Sequence, residues 1–295
     1  MSMSSICYLN GDYLPVNEAK VSVLDRGFIF GDGVYEVIPA YGSTLFRLQQ
    51  HLQRLDNSLK AIRLSNPLSH EQWQHCLQTL VEKNQNDKYS DQSIYLQVTR
   101  GVAKRDHSFP ENTKATVFAM SNPLASISKD KMQEGVAAIT LDDIRWRYCY
   151  IKTIALLPNI LLKQQAVEAQ ASEAILIRED EVTEGSASNL FIVKDGIIKT
   201  PIKSERLLPG ITRDLIVELA LQNNLPCEEI HITEMELRTA DEIWLSSSTK
   251  EILPVIRLDD KTVGTGAAGP LWGKMINIYQ SYKQNLRTQA EQETA

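Results

Sequence analysis

Thr183-Glu-Gly-Ser-Ala-Ser-Asn-Leu-Phe-Ile-Val-Lys-Asp-Gly-Ile-Ile198 runs from a polar, small-residue loop into a hairpin. Its two apolar arms, Leu190–Val193 and Ile197-Ile198, flank Asp195-Gly196, a pair suited to the positive φ of a tight turn. Toward the C-terminus the pattern predicts a helix from Ile211 to about Asn223, strands at 229–233, 242–247 and 252–257, and a last helix at about 269–286. The tail Gln289–Ala295 is expected to fray. Toward the N-terminus it predicts a strand at 174–178, a helix near 158–171 and a strand at 136–141. Ser121–Gln133 is polar, contains Pro123 and has no sustained period, and reads as a link between two domains or as a long surface loop. The first half opens with a hairpin, Ile6–Pro15, around Asn10-Gly11. Leu48, Leu52, Leu55, Leu59 and Ile62 form one apolar stripe of a helix over 46–63. Ser69 and Gln72 form a capping box for a second helix carrying Trp73, Leu77, Leu80 and Val81. Ile94, Leu96 and Val98 alternate in a strand ending at Arg100-Gly101, and another strand follows at 115–120. Strands and helices mix without a regular βαβ repeat, so the class is α+β or mixed α/β. The expected domains are 1–122, a linker 123–133, and 134–295.

The 295 residues, 43% hydrophobic and 23% charged, suit a globular protein of one large domain or two smaller ones. A net charge of −6 disfavours nucleic acid as a partner. Cys7, Cys76, Cys149 and Cys227 are far apart and read as free thiols in a reducing compartment. The start, Met1-Ser-Met-Ser-Ser-Ile, lacks the charges and apolar run of a signal peptide, and no apolar run reaches the about 18 residues of a membrane span. The expected location is cytoplasmic. Five histidines show no paired metal spacing, so no metal is expected. No nucleophile elbow, phosphate-binding Walker loop or dinucleotide-binding glycine fingerprint is present.

Four segments carry the remaining chemistry. They are Asp25-Arg-Gly-Phe-Ile-Phe-Gly-Asp-Gly-Val-Tyr-Glu36 with His51-Leu-Gln-Arg-Leu55; Ile151-Lys-Thr153; Thr183–Phe191; and Leu208-Pro-Gly-Ile-Thr-Arg213 with Ser246–Val255 beyond it. In order and spacing, over about residues 6–285, they resemble the fold-type IV pyridoxal 5'-phosphate enzymes, which include D-amino-acid transaminase, branched-chain aminotransferase and 4-amino-4-deoxychorismate lyase. Any one segment alone is weak; together they are specific.

The resemblance implies a two-domain homodimer with the cofactor in the interdomain cleft and the cofactor lysine, Lys152, in the C-terminal domain. That role needs an amine able to hold the cofactor aldehyde and then move the substrate α-proton. Lys152 follows Trp146, Tyr148 and Tyr150 in a strand-like, expectedly buried stretch, where a lysine's pKa falls easily. Glu184 is implied as the carboxylate that keeps the ring nitrogen protonated. The phosphate is implied to lie with Arg54, the helix start Gly210-Ile211-Thr212, and the hydroxyls of Ser247 and Ser248, with Ser188 also lining the cofactor. Taken singly, Arg54 would read as solvated and Gly210 as an ordinary helix start.

Arg100-Gly-Val-Ala-Lys-Arg-Asp-His-Ser-Phe-Pro110 separates the members. D-amino-acid transaminases carry an Arg-x-His-x-Phe-Pro run there. The resemblance implies that Arg105 and His107 of the partner subunit, with Tyr35, hold the substrate carboxylate; in isolation the pair would read as a mobile basic loop. The implied activity is amino-group exchange between a D-amino acid and a 2-oxo acid, of the D-alanine/2-oxoglutarate type, alternating through pyridoxamine phosphate. A branched-chain L-amino-acid or (R)-amine transaminase, the lyase, and a non-catalytic cofactor-binding protein are the alternatives. Ala187 where serine is common, Ser248 where threonine is frequent, and Ile154-Ala155 depart from the D-enzyme pattern.

Overall fold

A computed structural model describes residues 5–85, 91–124 and 132–294, the last six of these by backbone only. The chain forms two compact units. One comprises Met1–Ser126, Ile151–Ala155 and Leu286–Ala295, and the other Ile127–Tyr150 and Leu156–Asn285.

The first unit is built on a six-stranded antiparallel sheet in the order β2-β1-β6-β5-β3-β4. Its strands are β1 (Ile6–Leu9), β2 (Asp12–Pro15), β3 (Gly33–Tyr41), β4 (Thr44–Leu45), β5 (Gln92–Thr99) and β6 (Thr116–Pro123). The first hairpin turns at Asn10 (φ 54°) and Gly11 (φ 115°) as the sequence predicts. Helices α2 (Leu48–Ala61) and α3 (His70–Lys83) follow α1 (Arg26–Phe30). The capping box starting α3 is present, with Ser69 Oγ accepting from Gln72 N at 3.2 Å and Gln72 Oε1 from Ser69 N at 2.8 Å. Leu52, Leu55, Leu59, Trp73, Leu77 and Leu80 bury the predicted helix stripes against Val34, Ile38, Ile94, Leu96 and Val98 of the sheet. Every residue of β3 except Tyr35 and Val37 is buried, so both faces are largely covered and the strand shows no polar–apolar alternation.

The second unit carries a nine-stranded mixed sheet, ordered β12-β11-β10-β13-β14-β7-β8-β9 with β15 on β14. The strands are β7 (Val136–Asp142), β8 (Glu173–Arg178), β9 (Glu181–Gly185), β10 (Asn189–Lys194), β11 (Ile197–Pro201), β12 (Cys227–Ile230), β13 (Glu242–Ser247), β14 (Glu251–Leu258) and β15 (Lys261–Thr262). Helices α4 (Leu157–Glu168), α5 (Ile211–Gln222), α6 (Glu234–Arg238) and α7 (Pro270–Thr294) complete the described elements. The β10–β11 hairpin turns at Asp195 (φ 51°) and Gly196 (φ 77°).

Several expectations change. Ser121–Pro123 is the end of β6, paired to Gln92–Ile94, and most of the expected linker, 125–131, lies outside the described residues. The Lys152 segment, assigned from sequence to the C-terminal domain, groups with the first unit because Thr153 bridges Val34 and Tyr35 N donates to Lys152 O at 2.9 Å. The stretch before it is no strand, and Trp146, Tyr148 and Tyr150 are exposed. The backbone of α7 continues through the tail expected to fray, to Thr294. Among the described residues no helix is long and apolar enough to cross a membrane.

Candidate functional site

In the first unit, β3 and the 151–155 segment place Tyr35 and Lys152 side by side. Lys152 is half-buried, and its Nζ lies 4.1 Å from the centre of the Tyr35 ring. Its backbone is fixed twice, by Ser58 Oγ accepting from Lys152 N at 3.2 Å and by Lys152 O accepting from Tyr35 N. Next to Tyr35 in sequence, Glu36 is fully buried and accepts from Arg54 through Nε and Nη2, both at 2.7 Å. His51, one helical turn before Arg54 on α2, places Nδ1 2.8 Å from Glu36 Oε2. Burial pushes the Glu36 carboxyl up, but the Arg54 charge and the hydrogen bonds from Arg54 and His51 outweigh it and hold it at about 2. Burial pushes His51 down, partly offset by Glu36. An ionised Glu36 requires a proton on Nδ1, and the buried Nε2 has no hydrogen-bond partner.

Arg105 and His107 are exposed on the loop after β5, and both lie against Phe30: the Arg105 guanidinium 5.4 Å and the His107 ring 5.5 Å from its ring centre. The loop is shaped from below. Arg26 Nη1 donates to Asp106 O at 2.6 Å and Ser108 O at 3.3 Å, and Arg100 stacks 3.8 Å over Phe109. Asp32 ties Arg26 and Arg100 together.

In the second unit, Glu184 ends up buried on β9. Its carboxylate accepts from Arg145 Nη1, from Leu208 N at 3.1 Å and from Asn189 Nδ2 at 3.2 Å. Burial raises its pKa, and Arg145 opposes the rise. Asn189 also donates to Leu208 O at 2.8 Å. This places Asn189 against the start of α5, where Gly210 is the N-cap and has no side-chain cap bond to give. A Cβ on Gly210 would lie 1.9 Å from Asn189 Oδ1, so only glycine allows this approach. Ile211 and Thr212, the first helical residues, are buried. Ser188 donates to Glu173 Oε2 at 3.0 Å. Ser247 and Ser248 sit half-buried at the end of β13, where Ser247 Oγ accepts from Lys250 N at 3.3 Å, and Ser246 Oγ beside them is buried without a partner.

Residues 33–258 match the family model for amino-transferase class IV, which covers most of the chain. The chain belongs to the class IV aminotransferases. It is 43% identical over 262 residues to a D-alanine aminotransferase of Bacillus licheniformis, covering 89% of this chain and 91% of that one. It is 40% identical over 275 residues to a D-alanine aminotransferase of Staphylococcus aureus (strain MW2), covering 93% and 96%. Among solved structures it is similar to a branched-chain aminotransferase of the thermophilic archaeon Thermoproteus uzoniensis, solved with norvaline, with a TM-score of 0.87 and 29% identity, covering 95% of each chain.

For this aminotransferase the structure brings Tyr35 to Lys152 and Arg105 to His107 in the first unit, and Glu184 to Asn189, Leu208 and Gly210 in the second. Sequence reasoning did not find Glu36 as the partner of Arg54, although both stood in quoted motifs. Nor did it find Arg145, Asp143 or Asn189 around Glu184. Asn189 stands inside the Thr183–Phe191 run and was within reach.

The Glu36–Arg54 pair has a measurable consequence. Glu36→Gln should leave Arg54 buried without its counter-charge and destabilise the protein by about 3–5 kcal/mol, read from urea unfolding at neutral pH. Because the folded pKa of Glu36 is lowered to about 2, its stabilisation is complete above its unfolded value and is lost as pH falls from about 4 toward 2. Glu36→Gln should flatten that part of the stability–pH curve. An unchanged curve would mean that Glu36 is not charged in the folded state.

Proposed function

We propose that this enzyme transfers an amino group between D-amino acids and 2-oxo acids, with D-alanine and 2-oxoglutarate as the type pair, using pyridoxal 5'-phosphate. The observation that carries the substrate class is 43% identity to a D-alanine aminotransferase over nearly the full length of both chains, joined to the run Arg105-Asp-His-Ser-Phe-Pro110. The fold itself is common to branched-chain enzymes and does not separate the two.

The residues present suit this cofactor. A half-buried amine, a buried carboxylate, a guanidinium and an uncapped helix start are the donor set that an aldehyde, a ring nitrogen and a phosphate require. The buried, unpartnered Ser246 Oγ next to Ser247 points the same way. Lys152 would hold the aldehyde, Glu184 the ring-nitrogen proton, and Arg54 with Gly210-Ile211-Thr212, Ser247 and Ser248 the phosphate; Ser188 would line the cofactor. When bound, pyridoxal phosphate supplies an aldehyde for the amino group and a ring that withdraws electrons from the substrate Cα. Once the substrate amino group replaced it on the aldehyde, the freed amine of Lys152 would take the Cα proton and return it. Tyr35 lies beside that amine, its ring centre 4.1 Å from Nζ. Arg105 and His107, contributed by the partner subunit of a cytoplasmic homodimer, hold the substrate carboxylate with Tyr35. The side on which the carboxylate is held decides which enantiomer turns its hydrogen toward Lys152.

Arg105→Ala should raise KM for D-alanine about 10–150-fold, the loss of a charge-assisted hydrogen bond, with little change in the cofactor spectrum without substrate. Mixing unfolded Arg105→Ala and Lys152→Ala chains before refolding should restore about a quarter of wild-type activity at D-alanine concentrations well below the raised KM, since half the dimers are hybrids with one intact site. No recovery on mixing would place Arg105 and Lys152 of the same chain at one site. An unchanged KM would leave the loop solvated and the carboxylate held elsewhere.

A further inference from the structure

The Arg145 guanidinium is buried between two carboxylates. It forks onto Asp143, with Nε to Oδ1 and Nη2 to Oδ2 both at 2.9 Å, and extends Nη1 to Glu184. Asp143 has further partners: Arg178 Nη2 at 3.0 Å and Thr183 Oγ1 at 3.1 Å. Two arginines and two acids make the cluster neutral. The Cys149 thiol lies beside it, and burial pushes it up to about 11 and so keeps it uncharged at neutral pH. Without Arg145, Glu184 keeps the uncharged Leu208 N–H and Asn189 amide as donors. With the guanidinium gone, burial is opposed by neutral donors alone, and the carboxyl takes up its proton at higher pH. A protonated Glu184 could not stabilise a proton on a ring nitrogen.

We propose that Arg145 is a positioning residue for transamination: held by the Asp143 fork, its guanidinium keeps the Glu184 carboxylate ionised and fixed in direction. This rests on the assignment of Glu184 to the cofactor ring nitrogen. It accounts for an arginine whose first carboxylate, Asp143, already satisfies its fork, yet whose third nitrogen reaches a second buried acid.

The test follows the side-chain carboxyl carbons of 13C-labelled glutamate in the holoenzyme by NMR, with the Glu184 signal assigned by its loss in Glu184→Gln. In the wild type the signal should stay at its ionised position through the neutral range. In Arg145→Met its titration midpoint should rise by about 1–3 pH units, and Arg145→Lys should restore most of the wild-type behaviour. Should Arg145→Met fail to fold because Asp143 loses its fork, Asp143→Asn/Arg145→Met removes that burden and carries the same expectation. A Glu184 signal that does not move in these variants overturns the proposal. The Glu184 assignment is tested apart from it, on the 15N signal of the labelled cofactor ring: if Glu184→Gln leaves that signal unchanged, the assignment fails whatever Arg145 does to Glu184.

Discussion

Lys152→Ala should reduce transamination by about 10⁴-fold or more, because the variant lacks both the amine that holds the aldehyde and the base that moves the Cα proton. The loss should not come from unfolding. The two backbone bonds at this position, Ser58 Oγ with Lys152 N and Tyr35 N with Lys152 O, survive the substitution. What disappears is a cation over the Tyr35 ring, about 0.5–1 kcal/mol at a half-exposed position. Thermal unfolding should therefore shift little while activity vanishes. Borohydride treatment of the wild-type holoenzyme should fix the cofactor irreversibly to one lysine, and peptide mapping should find it at Lys152. A label on any other lysine would remove Lys152 from this role.

Glu184→Gln should slow the proton-transfer step by about 10²-fold or more, roughly 2.7 kcal/mol of transition-state stabilisation. Single-turnover decay of the cofactor absorbance with D-alanine measures it. Fold disruption is contained here too, since Arg145 keeps its fork onto Asp143 when Glu184 becomes neutral. Arg54→Ala should behave differently, weakening cofactor retention on dialysis, because it removes a cation and leaves the buried Glu36 with its His51 bond but without its two guanidinium bonds. Two variants with the same phenotype would contradict the division between ring and phosphate.

Local rules read much of the fold. Asn10-Gly11 and Asp195-Gly196 turn where a positive φ is needed, the Ser69/Gln72 box starts α3, and the Leu48–Leu59 stripe packs as a helix face. Misreadings have physical causes. Trp146, Tyr148 and Tyr150 alternate with the period of a strand, yet lie exposed in a loop, since period alone does not say whether a neighbouring strand exists to pair with. β3 gives no alternating signal because both its faces are largely covered. The short α6 was missed although Thr233 and Glu236 form a capping box that the sequence displays. For the site, the motif residues were legible, but their partners were not. Arg145 stands 39 residues from Glu184, and its pairing is a tertiary fact.

Selectivity for D-amino acids can be read from a single titration. Purified holoenzyme is mixed with a single amino acid and no acceptor, and the absorbance of the pyridoxal form is followed as it gives way to the pyridoxamine form. D-Alanine should convert the spectrum, 2-oxoglutarate should then reverse it, and L-leucine should leave it nearly unchanged. Conversion by L-leucine with D-alanine inert would rule out D-selectivity and make the chain a branched-chain enzyme.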